Sequence, residues 1–325
     1  MTDYPDRREF LVLGMGLFAA LSLPAALRRR PLLVRRTLPL MGTIAELQVA
    51  HRDEQAAEAA IDAAFAELFL VERTMSRFRP ESDLGRANRV AAREGVRVTP
   101  ATALVVAAAL RWAAATDGRF DPALGSATEL WDVLNRHEPP SEPAIRRLAR
   151  RGFWRHVDLD RFGGAPALRY SDPELHLDLG AIAKGYAIDR AAAALRRLGI
   201  RNAIVTVGGD LYALGGSPSG GAWQIGIRSP HDRNGLAATL SVCDRAVATS
   251  GDYERFFTWR GTRYHHLLDP ITAAPRRCPI HSNTVLADCC MDADAASTAT
   301  FGLPRAEALR TARRLAPGAD VIPLT

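Results

Sequence analysis

Between residues 175 and 199 the hydrophobic period of the chain changes. The run LHLDL (175–179) alternates apolar and polar residues, the two-residue period of a strand, and stops at Gly180. A helical period follows through AIDRAAAALRRLG and ends at Gly199. A strand that hands the chain to a helix across a short glycine-containing bend gathers backbone N–H groups at one point, a natural seat for phosphate. The rest of the chain has to pack around this unit. It also holds Lys184, the only lysine among 42 basic residues. Either a compact ammonium has a task there, or one surface lysine survived a strong bias toward arginine.

Helical patterns crowd residues 53–150 and strand patterns residues 155–290. Residues 33–50 read as two strands around a bend at Met41-Gly42. An amphipathic helix over 53–73 puts Ala57, Ile61, Phe65, Leu68 and Val71 on one face. Phe78, just beyond it, reads as a core aromatic. Thr99 caps a helix over 101–115, with Pro100 in its first turn. Residues 131–136 and the prolines after them read as a surface connection, and 143–151 as another helix. Strands follow over 157–170, around Gly163-Gly164, and over 203–207, which runs into Gly208-Gly209-Asp210. A meander comes next, then a strand over 282–290 and a last major helix from Asp292. This is the pattern of an α+β protein: a sheet-rich body over 33–325 with a packed, mainly helical subdomain at about 53–150.

The net charge of +6 is uneven, because residues 1–36 hold seven arginines against Asp3, Asp6 and Glu9. The body is therefore near neutral. With no basic stripe and no interleaved aromatics, nucleic acid is excluded as a partner. Residues 1–32 read as a twin-arginine-type export signal or an N-terminal anchor: Arg7-Arg8 precedes Phe10-Leu11, an apolar run follows, then Arg28-Arg29-Arg30. Either form places the body in the periplasm or at the outer face of the cell membrane. Cys243, Cys278, Cys289 and Cys290 lack zinc spacing. Cys289 and Cys290 read as buried thiols in a strand, and a Cys243–Cys278 disulfide is open to an exported chain.

Two stretches suggest chemistry. On a helix, Asp294, Ser297 and Thr298 share one face. Three oxygens there suit Mg²⁺, provided a phosphorylated ligand completes the site; taken alone, ordinary capping of a helix start is the more usual reading. His266 lies just before Asp269-Pro270, where it is either a general base or a structural histidine. His265 should face the opposite side of its strand.

Taken in order, the motifs resemble those of the ApbE-type FAD:protein FMN transferases. They are Met41-Gly42-Thr43, Met75-Ser76, Gly118-x-Phe120-Asp121, LDLGAIAKGYAID (177–189), NAIVTVGGD (202–210), ATSGDY (248–253), YHHLLDPIT (264–272) and ADAAST (293–298). The resemblance implies a flavin-transferase fold and Mg²⁺-dependent transfer of FMN from FAD to a threonine of an acceptor protein, with release of AMP. That acceptor is, by family analogy, a membrane redox subunit. It also implies FAD contacts at Met41, Phe78, Arg119, Phe120, Asp121, Asp178, Lys184 and Leu268. Metal ligands are implied at Asp294, Ser297, Thr298 and the carbonyl of Ala181, and a base at His266. Ala273 stands where relatives often have glycine, which puts the turn after Asp269-Pro270 in question. Hydrolysis of FAD to FMN and AMP, or non-catalytic carriage of FAD, are the alternatives. The sequence leaves the oligomeric state open.

Overall fold

Seven strands build one antiparallel sheet whose spatial order follows the chain. They are β1 (Leu32–Leu40), β2 (Thr43–His51), β3 (Ala203–Val207), β4 (Asp210–Leu214), β5 (Arg245–Gly251), β6 (Ser282–Ala287) and β7 (Asp320–Leu324). The computed structural model describes residues 31–232 and 235–325, so the signal or anchor reading of residues 1–32 lies almost wholly outside it. No helix among the described residues is long and apolar enough to cross a membrane. β1 and β2 join through Met41-Gly42, both with positive φ (53° and 67°). That turn geometry follows the strand twist; glycine adopts it freely, whereas Met41 is strained there.

Both faces of the sheet are covered, which is why every residue of β3 and β4 is buried. Along β3, Ala203, Val205 and Val207 enter the main core, while Ile204 points to a second core with Leu211, Trp223, Ile225 and Val247. A hairpin of Trp223–Arg228 and Leu236–Val242 closes that second core. The main core lies under three helices: α1 (Glu54–Met75), whose N-cap Asp53 accepts from Ala56 N, and, further along the chain, the helices Ala183–Arg197 and Cys290–Ala299. Four helices occupy the long excursion after α1: α2 (Asp83–Val90), α3 (Pro100–Ala115), α4 (Gly125–Trp131) and α5 (Glu142–Leu148). The helices at Ala183–Arg197, Cys290–Ala299 and Arg305–Ala312 are α6, α7 and α8. The helical stretch shares one continuous hydrophobic core with the sheet.

Five local expectations are corrected. Residues 175–179 are extended but form no strand, only an isolated bridge from His176 to Leu124. Their backbone is satisfied by a side chain and a loop instead: Leu177 N donates to Asn88 Oδ1 (2.8 Å), Asn88 Nδ2 donates to Leu177 O (2.9 Å), and Asp178 N donates to Pro122 O (2.8 Å). Trp131 is no surface residue; it ends α4 with its Nε1 donating to Ala273 O at 2.7 Å and its ring stacked on Tyr264. Phe78 is 78% exposed rather than in the core; its ring is covered by the Arg77 guanidinium instead of by apolar side chains. Cys289 and Cys290 open α7 rather than closing a strand. All four cysteines are free thiols, so no Cys243–Cys278 disulfide forms.

Candidate active site

The site lies where α6 crosses α7. Gly185 makes the crossing close: a Cβ there would sit 2.7 Å from Met291 Cα and nearer still to the Cys290 carbonyl. One turn further along α6, Asp189 accepts from Cys290 N (2.7 Å) and Met291 N (2.9 Å), satisfying the free donors at the start of α7. That corrects the capping alternative for Asp294. The helix starts four residues earlier, at Cys290, and Asp189 caps it. Asp294 instead lies in the middle of the helix, and Ser297 and Thr298 in its last turn, where the carbonyl end favours positive charge.

Asp294 is 2% exposed, and α6 meets it with two groups. Lys184 Nζ lies 2.8 Å from Oδ1, and Gly185 N donates to Oδ2 at 3.1 Å. The same ammonium is 2.6 Å from Oδ2 of Asp210, the first residue of β4. That oxygen accepts no well-aligned hydrogen bond, so the ammonium is its counter-charge. Burial pushes the Asp294 pKa above the usual carboxylate range, with Lys184 pulling the other way. Burial also opposes the charge on Lys184, but Asp210 and Asp294 outweigh it and raise its pKa. Two buried carboxylates around one ammonium leave one uncompensated negative charge where charge is expensive.

Hydroxyls extend the cluster. Ser250 Oγ, from β5, is 2.8 Å from Ser297 Oγ and 3.1 Å from Thr298 Oγ1. Ser297 Oγ donates back to Asp294 O at 2.9 Å. Ala181 lies in the turn just before α6. Among the described residues no three His, Cys, Asp or Glu side chains cluster as metal ligands. A cation held here would therefore rest on Asp294 with hydroxyl and carbonyl oxygens, which is a magnesium-like donor set. The unbalanced carboxylate charge fits such an ion.

His266 borders the cluster: its N donates to Arg255 O (3.1 Å), and its Nδ1 is 3.3 Å from that oxygen. With Nδ1–H assigned to the carbonyl, Nε2 keeps a free lone pair. Burial first, then Arg255, lowers the His266 pKa to about 4, and Lys184 is close enough to contribute. His265 turns the other way, as its strand position requires, with Nε2 on Arg276 O at 2.9 Å.

The remaining expected ligand contacts divide into two groups. Met41 sits on the β1–β2 turn at the same end of the sheet as Asp210, since Thr43 packs against Gly208. Asp178 pairs with Arg77 Nε (3.0 Å) and accepts from Gly180 N (2.9 Å), which pins the bend ahead of Ala181. Arg77 lies 4.1 Å above the exposed Phe78 ring. Arg77 and Phe78, with Pro80, Asn88, Glu129 and His176, line a cleft of about 240 Å³. Arg119, Phe120, Asp121 and Leu268 turn inward. Arg119 donates to Ala299 O (3.1 Å) and Phe301 O (2.8 Å). Phe120 is 3% exposed and belongs to the core, so its ring does not flank a ligand. Asp121 accepts from Ala123 N (2.8 Å), and burial raises its pKa to about 6. Leu268 is 8% exposed. Asp210, Ser250 and Arg77 were missing from the sequence-derived site. The first two sit in visible motifs, but only the pairing of β4 with β5 beneath α7 gives them a role.

The fold that carries this site is that of solved flavin transferases. The structure matches the ApbE protein of Thermotoga maritima with a TM-score of 0.81 at 29% identity, over 90% of this chain and 94% of that one. It matches the flavin transferase ApbE of Vibrio cholerae with a TM-score of 0.77 at 29% identity, over 90% and 93%. In sequence it is 34% identical over 298 residues to the FAD:protein FMN transferase of Treponema pallidum, covering 87% of this chain and 82% of that protein. The Vibrio cholerae FAD:protein FMN transferase is 34% identical over 266 residues, covering 80% and 78%. The ApbE family model spans residues 41–322, and the chain belongs to that family.

Proposed function

We propose that this enzyme moves the FMN half of FAD onto a threonine hydroxyl of an acceptor protein, releases AMP, uses Mg²⁺, and works outside the cytoplasm. The observation that carries the reading is the α6–α7 junction, where Lys184, Asp210 and Asp294 converge beside Ser250 and Thr298. In the reaction, the threonine oxygen bonds to the FMN phosphorus. The bond from that phosphorus to the bridging diphosphate oxygen breaks, and its electron pair leaves with AMP. A threonine hydroxyl is a poor nucleophile near neutral pH, so its proton needs an acceptor as the new bond forms. His266 is held neutral by its surroundings and presents Nε2 for that proton. Asp294, Thr298 and the Ala181 carbonyl would hold Mg²⁺, with Ser297 beside them. When bound, the ion polarises the phosphoryl group and neutralises charge on the leaving phosphate. Lys184 fixes both carboxylates and adds a point charge facing the phosphates. Asp178, tied to Arg77, is suited to accept a ring N–H and would repel phosphate. The acceptor is a protein with an exposed threonine, such as a membrane redox subunit.

Incubation with FAD, Mg²⁺ and a candidate acceptor, read by mass spectrometry, tests this. Covalent FMN on threonine with equimolar AMP is the expected result. AMP without adduct would make the protein an FAD pyrophosphatase, and unchanged FAD would make it a carrier.

A further inference from the structure

Arg276 is 7% exposed, and no carboxylate pairs with it among the described residues. Its charge is held by four backbone carbonyls. Nε donates to Leu268 O (3.3 Å), Nη1 to Thr298 O (3.0 Å) and Phe301 O (2.9 Å), and Nη2 to Arg119 O (2.6 Å). Its own N–H donates to Leu267 O at 2.9 Å. Burial and the neighbouring Arg119 lower its pKa to about 10, which leaves it charged at neutral pH.

Those carbonyls belong to three separate stretches. Leu268 follows His266 by two residues. Thr298 supplies a hydroxyl to the oxygen cluster, at the carbonyl end of α7, where the helix dipole welcomes a cation. Arg119 opens the segment through Asp121. Arg119 itself grips Ala299 O and Phe301 O, so two guanidiniums clamp the same helix end. We infer that Arg276 is a positioning residue for the transfer, its guanidinium fixing the His266 loop against the Thr298 end of α7. The inference rests on the proposed function for the roles of His266 and Thr298. Only arginine suits the task. Carbonyls in several directions match a planar fork with five donors, whereas lysine offers three from one atom.

The test uses Arg276→Lys and Arg276→Met in the full chain, assayed where circular dichroism shows each fully folded. Both are expected to lose about 10- to 100-fold in kcat for transfer, the scale of a small misplacement of reacting groups, with KM for FAD little changed. The ratio of covalent FMN to released AMP should fall below one, as water replaces a misaligned acceptor, and amide exchange over 265–269 should quicken. Wild-type kcat and a one-to-one ratio in a folded Arg276→Lys would overturn the inference. So would a loss matching only the unfolded fraction, or failure of both variants to fold, which would make Arg276 a purely structural residue. If the wild type forms no adduct, the functional reading fails. Exchange over 265–269 in the variants then still decides whether the guanidinium holds the loop, and unchanged exchange rejects it.

Discussion

Gly185→Ala is a sharp test of the α6–α7 crossing. The added Cβ would lie 2.7 Å from Met291 Cα and against the Cys290 carbonyl, both backbone atoms that cannot swing aside. Relaxed carbon–carbon contact is about 3.5–4.0 Å, so the helices must part by about 1 Å. Overpacking of this kind costs about 1–3 kcal/mol. Alanine returns about 1 kcal/mol through its better helix propensity. The net loss of stability is therefore modest. Chemistry suffers more. The 2.8 Å Lys184–Asp294 contact and the 3.1 Å bond from Gly185 N both span the crossing and would stretch or break. A misplacement of about 1 Å near reacting groups costs on the order of a hundredfold in rate. Thermal unfolding and flavin transfer measured on the same preparation should show a small drop in Tm beside a large drop in kcat. A variant with wild-type transfer would refute the idea that this crossing sets the site, and so would one that loses stability and activity in proportion.

Three further outcomes are expected. Asp294→Ala should abolish turnover yet stay folded, because Lys184 keeps Asp210 as a partner; full activity of that variant in chelator-treated buffer would end the metal assignment. His266→Ala should slow transfer by about 10²–10⁴-fold with FAD binding intact. Since the pKa of His266 sits near 4, wild-type transfer should show no acid limb near 6.5 that disappears in the variant; finding one would contradict the burial argument. Asp189 is pushed up to about 6 by burial, against the pull of its two N–H partners. A raised acid stabilises the fold most below its unfolded value of 3.8 and loses that contribution as pH rises through 6. Asp189→Asn should flatten the decline in Tm between pH 4 and 6, because the neutral amide has no charge to desolvate. Parallel Tm–pH curves for the two proteins would be incompatible with this.

What sequence could reach was what repeats locally. The hairpin at Met41-Gly42, the face of α1 and the strand at 203–207 follow from period and turn chemistry, which neighbouring residues supply. The α6 helix was legible for the same reason. The extended run before it looked like a strand because alternation reports burial on one side, not the presence of a hydrogen-bonded partner. Asn88 and Pro122 take that place. Phe78 misled in the opposite sense, since an aromatic is assigned to the core by default and no local pattern shows that this one stands 78% exposed. The site was half legible. Asp294, Thr298 and Lys184 stood out by spacing and rarity, yet Asp294 looked short of negative charge. The missing carboxylate is Asp210, 84 residues before it in the chain and brought near it by the order of strands in the sheet, which no local pattern encodes.

Ala273 shows how packing can absorb a departure that sequence alone flags as a doubt. The residue keeps the turn by adopting φ 51°. Its N donates to Asp269 O at 2.7 Å, and its carbonyl accepts from Trp131 Nε1 at 2.7 Å. The left-handed backbone costs a non-glycine residue about 1–2 kcal/mol. It persists because the methyl is fully buried and the indole holds the carbonyl in place. Met41 is in the same condition at the other expected contact turn, with φ 53° and its N–H held by Glu72 Oε1 at 2.9 Å. Each strained turn is fixed by a partner from the helical stretch, Trp131 of α4 in one case and Glu72 of α1 in the other. That stretch therefore does more than cover the sheet. It holds in shape the two turns that carry Met41 and follow His266, so changes in α1 or α4 should reach the site through the backbone of those turns.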